Sequence, residues 1–223
     1  MPHLLSKSKY IRGLQCERAL WLDVFNPRIA RYSAEQMRRF DRGREFEYAF
    51  KDTFPGGIDI SAELKRNVDA YPERTAQLLD GTDKSPLTLF EAGFLYDDVL
   101  VLADVVHRNA DGSLDVYEVK SGNVLSDTYK RDAALQHYVI SHCREINKFT
   151  LVFNDGNGGF LKENLTEELE SQHDEIARNI AAMKEILRHG EPATPTGQHC
   201  LEPYACPYQH YCAQGVRQMS LFE

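Results

Sequence analysis

The pattern of apolar and polar positions predicts a strand-rich middle with helices before and after it. Ser33 followed by Gln36 forms a capping box, which predicts a helix over about 34–53. A Pro-Gly-Gly run directly after Phe54 ends that helix. A further short helix is predicted after Cys16.

From residue 87 onward the period of the apolar residues becomes that of strands. The runs 87–95 and 99–107 are rich in β-branched residues and are joined by an acidic turn. An Asp-Gly turn then leads into a third strand over 114–120. These three segments predict consecutive antiparallel strands.

The segments around these strands complete the expected order of elements. We predict a short strand and then a helix-prone stretch at 72–79 within residues 58–85, a helix over about 126–143 capped by Ser126 or Asp127, strands over 148–153 and 160–165, and a long helix over 166–188. The order of helix, three strands, helix and strand predicts an α/β fold, with a central mixed β-sheet flanked by helices.

Composition limits the class of protein. The chain has 223 residues, 42% of them hydrophobic and 27% charged, which are values of a folded globular protein. No apolar stretch approaches the roughly 20 residues that span a bilayer, and the N-terminus lacks the apolar segment of a signal peptide. We therefore expect a cytoplasmic protein without a membrane partner.

The net charge of −8 is unevenly distributed. Residues 1–51 carry 11 Lys and Arg against 6 Asp and Glu, and all the excess acidity lies in the remainder. A basic segment on an acidic body is compatible with local binding of phosphate groups, but charge alone favours the simpler interpretation of two solvated surfaces of opposite sign.

Asp104 interrupts an apolar strand, where a charge is costly to bury without a counter-ion or a metal. On the next predicted strand, alternation puts Glu118 and Lys120 on one face and Val119 on the other. The turn between the strands brings Asp104 beside Glu118. Two carboxylates there suit Mg²⁺ or Mn²⁺, while a structural ion pair with Lys120 is the alternative.

These residues resemble the PD-(D/E)XK nuclease superfamily, and more closely its RecB-like branch, which includes the CRISPR-associated exonucleases. The resemblance implies a restriction-endonuclease-like core in which Asp104, Glu118 and the carbonyl of Val119 bind the metal. It further implies that Lys120 is catalytic and activates the attacking water, and that Gln136 on the following helix supports the site.

The sequence departs from the family pattern in two places. The family has a Gly followed four positions later by a metal-binding His, whereas here Gly43 is followed by Glu47. A glutamate is also a hard oxygen ligand, so Glu47 is a candidate for the metal site. Tyr138 lies two residues after Gln136 rather than four, which places it on another side of the helix.

Five cysteines in a reducing compartment favour metal or cluster ligands over disulfides. Cys200, Cys206 and Cys212 are evenly spaced near the C-terminus, Cys16 is the distant fourth, and Cys143 has no assigned role. Four thiolates suit zinc or an iron–sulfur cluster, and spacing alone does not choose between them.

The resemblance favours the iron–sulfur cluster over zinc, because the RecB-like branch carries one cysteine before the core and three after it as ligands of a [4Fe–4S] cluster. Such a cluster would join the N-terminal and C-terminal segments. It would also hold rigid a basic segment expected to grip DNA, which comprises Lys7, Lys9, Arg12 and Arg18.

The last residues, Gln218, Met219, Ser220, Leu221 and Phe222, resemble the short peptide by which bacterial repair proteins bind the sliding clamp. An apolar pair on a terminus would anchor in a pocket, and the glutamine would orient it by hydrogen bonding. Docking of the tail on the protein's own body is the alternative.

Together these features predict one nuclease domain over 1–213, with 1–32 and 190–213 as the iron–sulfur subdomain, and a flexible tail over 214–223. The expected function is a metal-dependent DNA nuclease, most simply a single-strand exonuclease in DNA repair, recombination or CRISPR adaptation, with CRISPR integration proteins among its candidate partners. The alternatives are an inactive adaptor that binds DNA ends or the clamp, and a zinc-stabilised structural domain.

Overall fold

A mixed β-sheet flanked by helices forms the core of the protein in a computed structural model, which describes residues 4–83 and 85–219, with side chains to residue 214. Seven strands are found in the described part of the chain: β1 (Leu5–Ser6), β2 (Ile58–Asp59), β3 (Leu87–Tyr96), β4 (Val99–Arg108), β5 (Leu114–Lys120), β6 (Ile146–Asn154) and β7 (Phe160–Asn164). The predicted α/β class, with a mixed sheet between helices, is confirmed.

The order across the sheet is β2-β3-β4-β5-β6-β7, and β1 pairs with the first residues of β4. Strand β4 is antiparallel to both of its neighbours, β3 and β5, as the short acidic and Asp-Gly turns predict. Strand β6 lies parallel to β5, because a helical crossover connects them, and β7 returns antiparallel to β6. The three middle strands therefore carry the candidate site residues side by side.

The helices lie between and around these strands. Their bounds are α1 (Lys7–Gln15), α2 (Glu17–Phe25), α3 (Ala34–Lys51), α4 (Ile60–Leu64), α5 (Tyr71–Leu79), α6 (Asp127–Ser141), α7 (Thr166–Glu170), α8 (His173–Arg188) and α9 (Gln209–Met219). Within the described residues, none of these helices is both long and apolar enough to cross a membrane.

The chain divides into two compact units. The sheet unit contains the described residues 4–7 and 38–176, and the terminal unit contains 8–37 and 177–219. The sequence predicts that residues 1–32 and 190–213 form one subdomain. Of these, residues 8–32 and 190–213 lie in the terminal unit.

Both predicted helix caps are present. Gln36 N–H donates to Ser33 Oγ at 3.1 Å and Ser33 N–H donates to Gln36 Oε1 at 2.8 Å, which is the reciprocal geometry of a capping box. The side chain of Ser126 likewise accepts a hydrogen bond from Tyr129 N–H at 3.3 Å. Local sequence therefore determines where α3 and α6 begin.

The prediction of one continuous helix over 166–188 is wrong, since the chain forms α7 and α8 with a break at Ser171 and Gln172. Ser171 Oγ donates to the carbonyl of Glu168 at 2.7 Å, and Gln172 Nε2 reaches the same carbonyl at 3.3 Å. These side-chain bonds compete with the helical bond that Gln172 N–H would make to that oxygen.

One face of the sheet is closed by aromatic residues of α3. Phe50 is fully buried and packs with Phe90, Val105, Val119 and Val152 from four strands. This packing fixes α3 across the middle strands. It also places the α3 residues next to Phe50 close to the carboxylates of β3 and β4.

Helix α6 also contributes to the core, and its residue Leu135 is fully buried. We expect Leu135→Ala to lower the free energy of unfolding by about 2–5 kcal/mol, because the substitution leaves a cavity under the helix. Leu161→Ala on β7 is the matched control, since that side chain is 45% exposed. Equal losses for the two variants in urea unfolding would contradict the assignment of α6 to the core.

Candidate functional site

The sheet opens at the point where Asp104 lies in β4. The β4–β5 ladder runs from the pair Arg108–Leu114 to the pair Val105–Tyr117 and does not continue to Asp104. On the same edge, β1 pairs only with Val99 and Leu100. In the part of the chain that the structure describes, residues 101–104 thus have no strand partner on this edge, which leaves room for side-chain chemistry.

The carboxylate of Asp104 fills part of this opening. Val119 N–H donates to Asp104 Oδ2 at 2.7 Å, in place of a backbone partner. Glu118 and Lys120 lie together on the other side of β5 from Val119, with Lys120 Nζ 2.6 Å from Glu118 Oε1. The structure therefore brings the four residues 104, 118, 119 and 120 into one group.

Lys7 contributes a second ammonium group from the far end of the chain. Its Nζ lies 3.2 Å from both carboxylate oxygens of Glu118 and 3.9 Å from Asp104 Oδ1. Because β1 runs parallel to β4, the residue that follows Ser6 is directed along the strand towards Asp104. Lys7 is therefore placed by strand register rather than by local sequence.

Helix α6 adds a carboxylate and an amide. Asp132 forms an ion pair with Lys120, while its other oxygen, Oδ1, has no hydrogen-bond partner. Gln136 lies one turn further along α6 and is completely buried; its amide atoms make no hydrogen bond of ordinary geometry, although the side chain is near enough to Glu118 to help lower the pKa of that carboxyl. Buried polar atoms without partners are rare, and here they cluster beside the carboxylates.

A third group comes from α3 and β3. Ligand oxygens of Glu47, Glu91 and Asp104 all lie within 4.8 Å of one another. Lys51 bridges the first two, with its Nζ 2.5 Å from Glu47 and 2.6 Å from Glu91. Glu91 stands opposite Asp104 in the β3–β4 register and has a φ of +54°, an unfavourable backbone conformation for a residue with a side chain.

The two central carboxylates titrate in opposite directions. Burial raises the pKa of Asp104 well above its usual range, and the charge of Glu118 raises it further. Burial also acts to raise the pKa of Glu118, but the ammonium groups of Lys120 and Lys7 outweigh it and lower that pKa below the ordinary value. Glu118 therefore favours its ionised form. Near Asp104, the positive groups do not offset the effect of burial on its pKa.

The lysines of the site are held in the charged form. Burial acts to lower the pKa of Lys120, yet the carboxylates of Asp132 and Glu118 raise it well above its usual value. The pKa of Lys7 is raised in the same way by Glu118 and Asp104, against the effect of burial.

The balance of charge indicates what the site lacks. Among the described residues the group contains more carboxylates than ammonium groups: Glu47, Glu91, Asp104, Glu118 and Asp132 against Lys7, Lys51 and Lys120. Burial of so many carboxylates is unfavourable without further positive charge. A divalent cation held by carboxylate oxygens would contribute that charge, so the residues present fit Mg²⁺ or Mn²⁺.

Sequence reasoning missed Lys7, Lys51, Glu91 and Asp132. Glu91 interrupts an apolar strand as Asp104 does, and the same signal could have found it. Asp132 precedes Gln136 by four residues and shares its helical face. Lys7 has no local signal, because the contact with Glu118 joins residues 111 positions apart.

Tyr138, which the family pattern would place with Gln136, belongs to a different cluster. Its ring makes an edge contact with His173 at a centroid distance of 5.4 Å and lies 4.6 Å from the ring of His142. His137 Nδ1 is 2.8 Å from His173 Nε2, so one imidazole donates to the other. Tyr138 thus belongs to a largely buried aromatic and histidine group near the C-terminal end of α6.

This histidine pair predicts a loss of stability in acid. Burial, with a smaller contribution from His173, lowers the pKa of His137 to about 4. Because the folded state favours neutral His137, the stabilisation is complete above about pH 6.5 and is lost as the pH falls towards 4, an effect on the order of 3 kcal/mol.

We expect His137→Gln to flatten the dependence of the free energy of unfolding on pH between 6.5 and 4. The control is His189→Gln, because the side chain of His189 is 70% exposed. Urea unfolding at several pH values measures both slopes. An unchanged slope in His137→Gln would show that another group causes the acid sensitivity.

The terminal unit collects four of the five cysteines. Cys16 and Cys206 pack against its small core of Ala19, Leu22 and Tyr208. Cys206 N–H donates to the carbonyl of Cys200 at 2.8 Å. All the cysteines are free thiols.

The four thiols are close enough to influence one another. Burial raises the pKa of Cys206 and of Cys212, and the neighbouring thiols Cys16 and Cys200 add to both increases. Nevertheless, no three sulfur atoms in the described chain approach within 4.8 Å of one another. A tetrahedral zinc site with bonds of about 2.3 Å would hold its sulfurs roughly 3.8 Å apart. Cys143 instead lies in the sheet unit, where its Sγ contacts the carbonyl of Leu95 at 3.6 Å.

The basic residues near Cys16 are partly neutralised. Arg12 Nε lies 3.3 Å from Asp23 Oδ2, and Arg18 Nε lies 2.6 Å from Glu191 Oε1. Lys7 belongs to the sheet unit and is engaged with Glu118. These contacts reduce the positive charge that the segment can offer to DNA.

The clamp-like peptide falls largely beyond the described part of the chain. Gln218 and Met219 are in α9, whose side chains are described only to residue 214, and Ser220, Leu221 and Phe222 lie outside the described residues. The proposed partner contact of this tail stays a prediction.

Comparison with known proteins does not assign the chain to a family. No protein-family model matches the chain, and no curated protein matches it significantly. Among solved structures, the crystal structure of SSO0001 is similar with a TM-score of 0.42 and 15% identity, covering 94% of this chain and 85% of that chain. The function is therefore inferred from the chain's own side chains.

Proposed function

We propose that the protein is a metal-dependent DNA nuclease with a restriction-endonuclease-like core. The observation that supports this most directly is the group formed by Asp104, Glu118 and Lys120 at the opening of the sheet, within a cluster that holds more carboxylates than ammonium groups. Hydrolysis of a phosphodiester needs a site for a divalent cation and a positive group beside it. This group supplies both.

Each side chain has a distinct part in the proposed reaction. Asp104 and Glu118 would hold the cation, with the carbonyl of Val119, and ligand oxygens of Glu47 and Glu91 lie within 4.8 Å of one on Asp104. When bound, Mg²⁺ or Mn²⁺ polarises the phosphate and makes water a stronger nucleophile.

Lys120 acts as a cation rather than as a base. Against the effect of burial, the carboxylates of Asp132 and Glu118 raise its pKa, which favours the ammonium form. A protonated lysine orients the attacking water and stabilises the charge that develops on the phosphate. Asp132 holds Lys120 in place, and Gln136 has free amide atoms to hydrogen-bond to the site.

The terminal unit is proposed to bind a [4Fe–4S] cluster through Cys16, Cys200, Cys206 and Cys212. The observation that supports a shared site is that the four cysteines lie in one unit, where burial, with Cys16 and Cys200, raises the pKa of both Cys206 and Cys212. The preference for a cluster over zinc rests on the resemblance to the RecB-like branch. Its role in this proposal is to stabilise the unit.

The proposed substrate is single-stranded DNA, in repair, recombination or CRISPR adaptation. Exposed Arg38, Arg39, Phe40 and Arg42 precede Glu47 along α3, and exposed Tyr48 directly follows it. Arginine beside aromatic rings is the combination that binds the backbone and the bases of a single strand. The helix thus offers a path to the carboxylates.

The test is cleavage of end-labelled single-stranded DNA in Mn²⁺ by protein purified without oxygen. We expect Asp104→Asn and Lys120→Gln each to lower the cleavage rate by about 10²–10⁴-fold, because each removes a group that acts on the reacting phosphate or water. Lys130→Gln is the control, since Lys130 lies on α6 but pairs with Glu168 outside the site.

Iron content and DNA affinity measured on the same preparations show whether the variants are otherwise intact. Cleavage that persists undiminished in both Asp104→Asn and Lys120→Gln would rule out this active site. An inactive wild-type protein that still binds DNA ends would instead favour the adaptor function.

The cluster is tested by metal analysis and visible absorbance. We expect Cys16→Ala or Cys212→Ala to lose iron and the brown colour and to become less stable, because a ligand is removed. Cys143→Ala should keep both, since that thiol lies in the other unit. Stoichiometric zinc in a colourless wild-type protein would contradict the proposal.

A further inference from the structure

The ammonium group of Lys7 lies where two of the proposed metal ligands meet. Its Nζ is 3.2 Å from Glu118 Oε1 and Oε2 and 3.9 Å from Asp104 Oδ1. The side chain is 24% exposed, whereas Glu118 is 1% exposed. The group can therefore leave towards solvent, while the carboxylates stay within the sheet.

The fold directs Lys7 to this position. Strand β1 pairs in parallel with Val99 and Leu100 on the edge of β4 that β5 leaves open. Lys7 follows β1 at once and extends along the same edge towards Asp104. Because the preceding residue, Ser6, pairs with Leu100 in the sheet, the backbone next to Lys7 is held in place.

The other two lysines are held more firmly. Lys120 has two carboxylate partners, Glu118 at 2.6 Å and Asp132. Lys51 is 6% exposed and lies within 2.6 Å of both Glu47 and Glu91. The contacts of Lys7 are longer, and both of its partners are shared with the proposed cation.

We propose that Lys7 is a displaceable counter-ion of the metal site. A divalent cation that binds Asp104 and Glu118 takes the place of the ammonium, because two positive groups cannot occupy the same gap without strong repulsion. When the cation leaves, Lys7 returns and neutralises Glu118. This inference rests on the proposed function, since it takes these carboxylates as the metal ligands.

Competition of this kind sets the affinity for the cation. The metal must displace Lys7 before it reaches both carboxylates, so its apparent dissociation constant is larger than that of a site without the lysine. Lys7 is a positioning residue in this view. It acts through the occupancy of the metal site, and equilibrium binding measures it directly.

The first experiment measures Mn²⁺ binding by electron paramagnetic resonance on the full-length protein without DNA. We expect Lys7→Met to bind Mn²⁺ about tenfold more tightly than the wild type. Lys130→Met makes the same change of net charge at an ion pair with Glu168 and should leave the affinity unchanged. Equal or weaker binding by Lys7→Met would overturn the inference.

The second experiment uses the wild-type protein, so that it does not depend on the folding of a variant. Lysine acetylation is followed by mass spectrometry with and without Mn²⁺. We expect Mn²⁺ to increase the labelling of Lys7 several-fold, because the ammonium is released to solvent, and to leave Lys120 protected. Labelling of Lys7 that does not change with Mn²⁺ would also overturn the inference.

Asp104→Asn separates this inference from the proposed function. Mn²⁺ binding that is lost in Asp104→Asn but unchanged in Lys7→Met would keep the metal site and reject displacement. If the wild type binds no more Mn²⁺ than Asp104→Asn, both the metal site and the role of Lys7 fail.

Discussion

The buried carboxylate of Asp104 is the charge around which the sheet unit is arranged. An ionised group in an apolar strand is stable only if other groups compensate it. The unit surrounds Asp104 with residues from four separate elements, and Lys7, Glu47 and Glu118 all influence its pKa. Even so, the group holds more carboxylates than ammonium groups, and the proposed cation would offset this imbalance.

The backbone is also irregular near Asp104. Where β4 carries Asp104, the ladder to β5 stops, and Val119 N–H bonds to a side chain instead of a strand. On the other edge Glu91 adopts a positive φ within β3. Both irregularities lie at one level of the sheet, as expected when packing elsewhere holds functional groups in unfavourable positions. The aromatic core around Phe50 provides that packing.

The terminal unit meets a different constraint. Cys16 and Cys206 pack against its core cluster of Ala19, Leu22 and Tyr208. Small domains are commonly reinforced by cross-links or metals. The proposed cluster would provide such a cross-link by joining Cys16 to the three C-terminal cysteines.

Sequence alone determined the strands β3 to β5, the starts of α3 and α6, and the shared face of Glu118 and Lys120, because periodicity and caps depend on residues a few positions apart. It left residues 5–15 without an assigned element. It also predicted one helix where the chain forms α7 and α8, which are separated near the side-chain hydrogen bond of Ser171. Only tertiary structure brought Lys7, Glu91 and Asp132 to Asp104. Their contacts depend on strand register and helix packing across the fold, and such long-range pairings leave no trace in the local pattern.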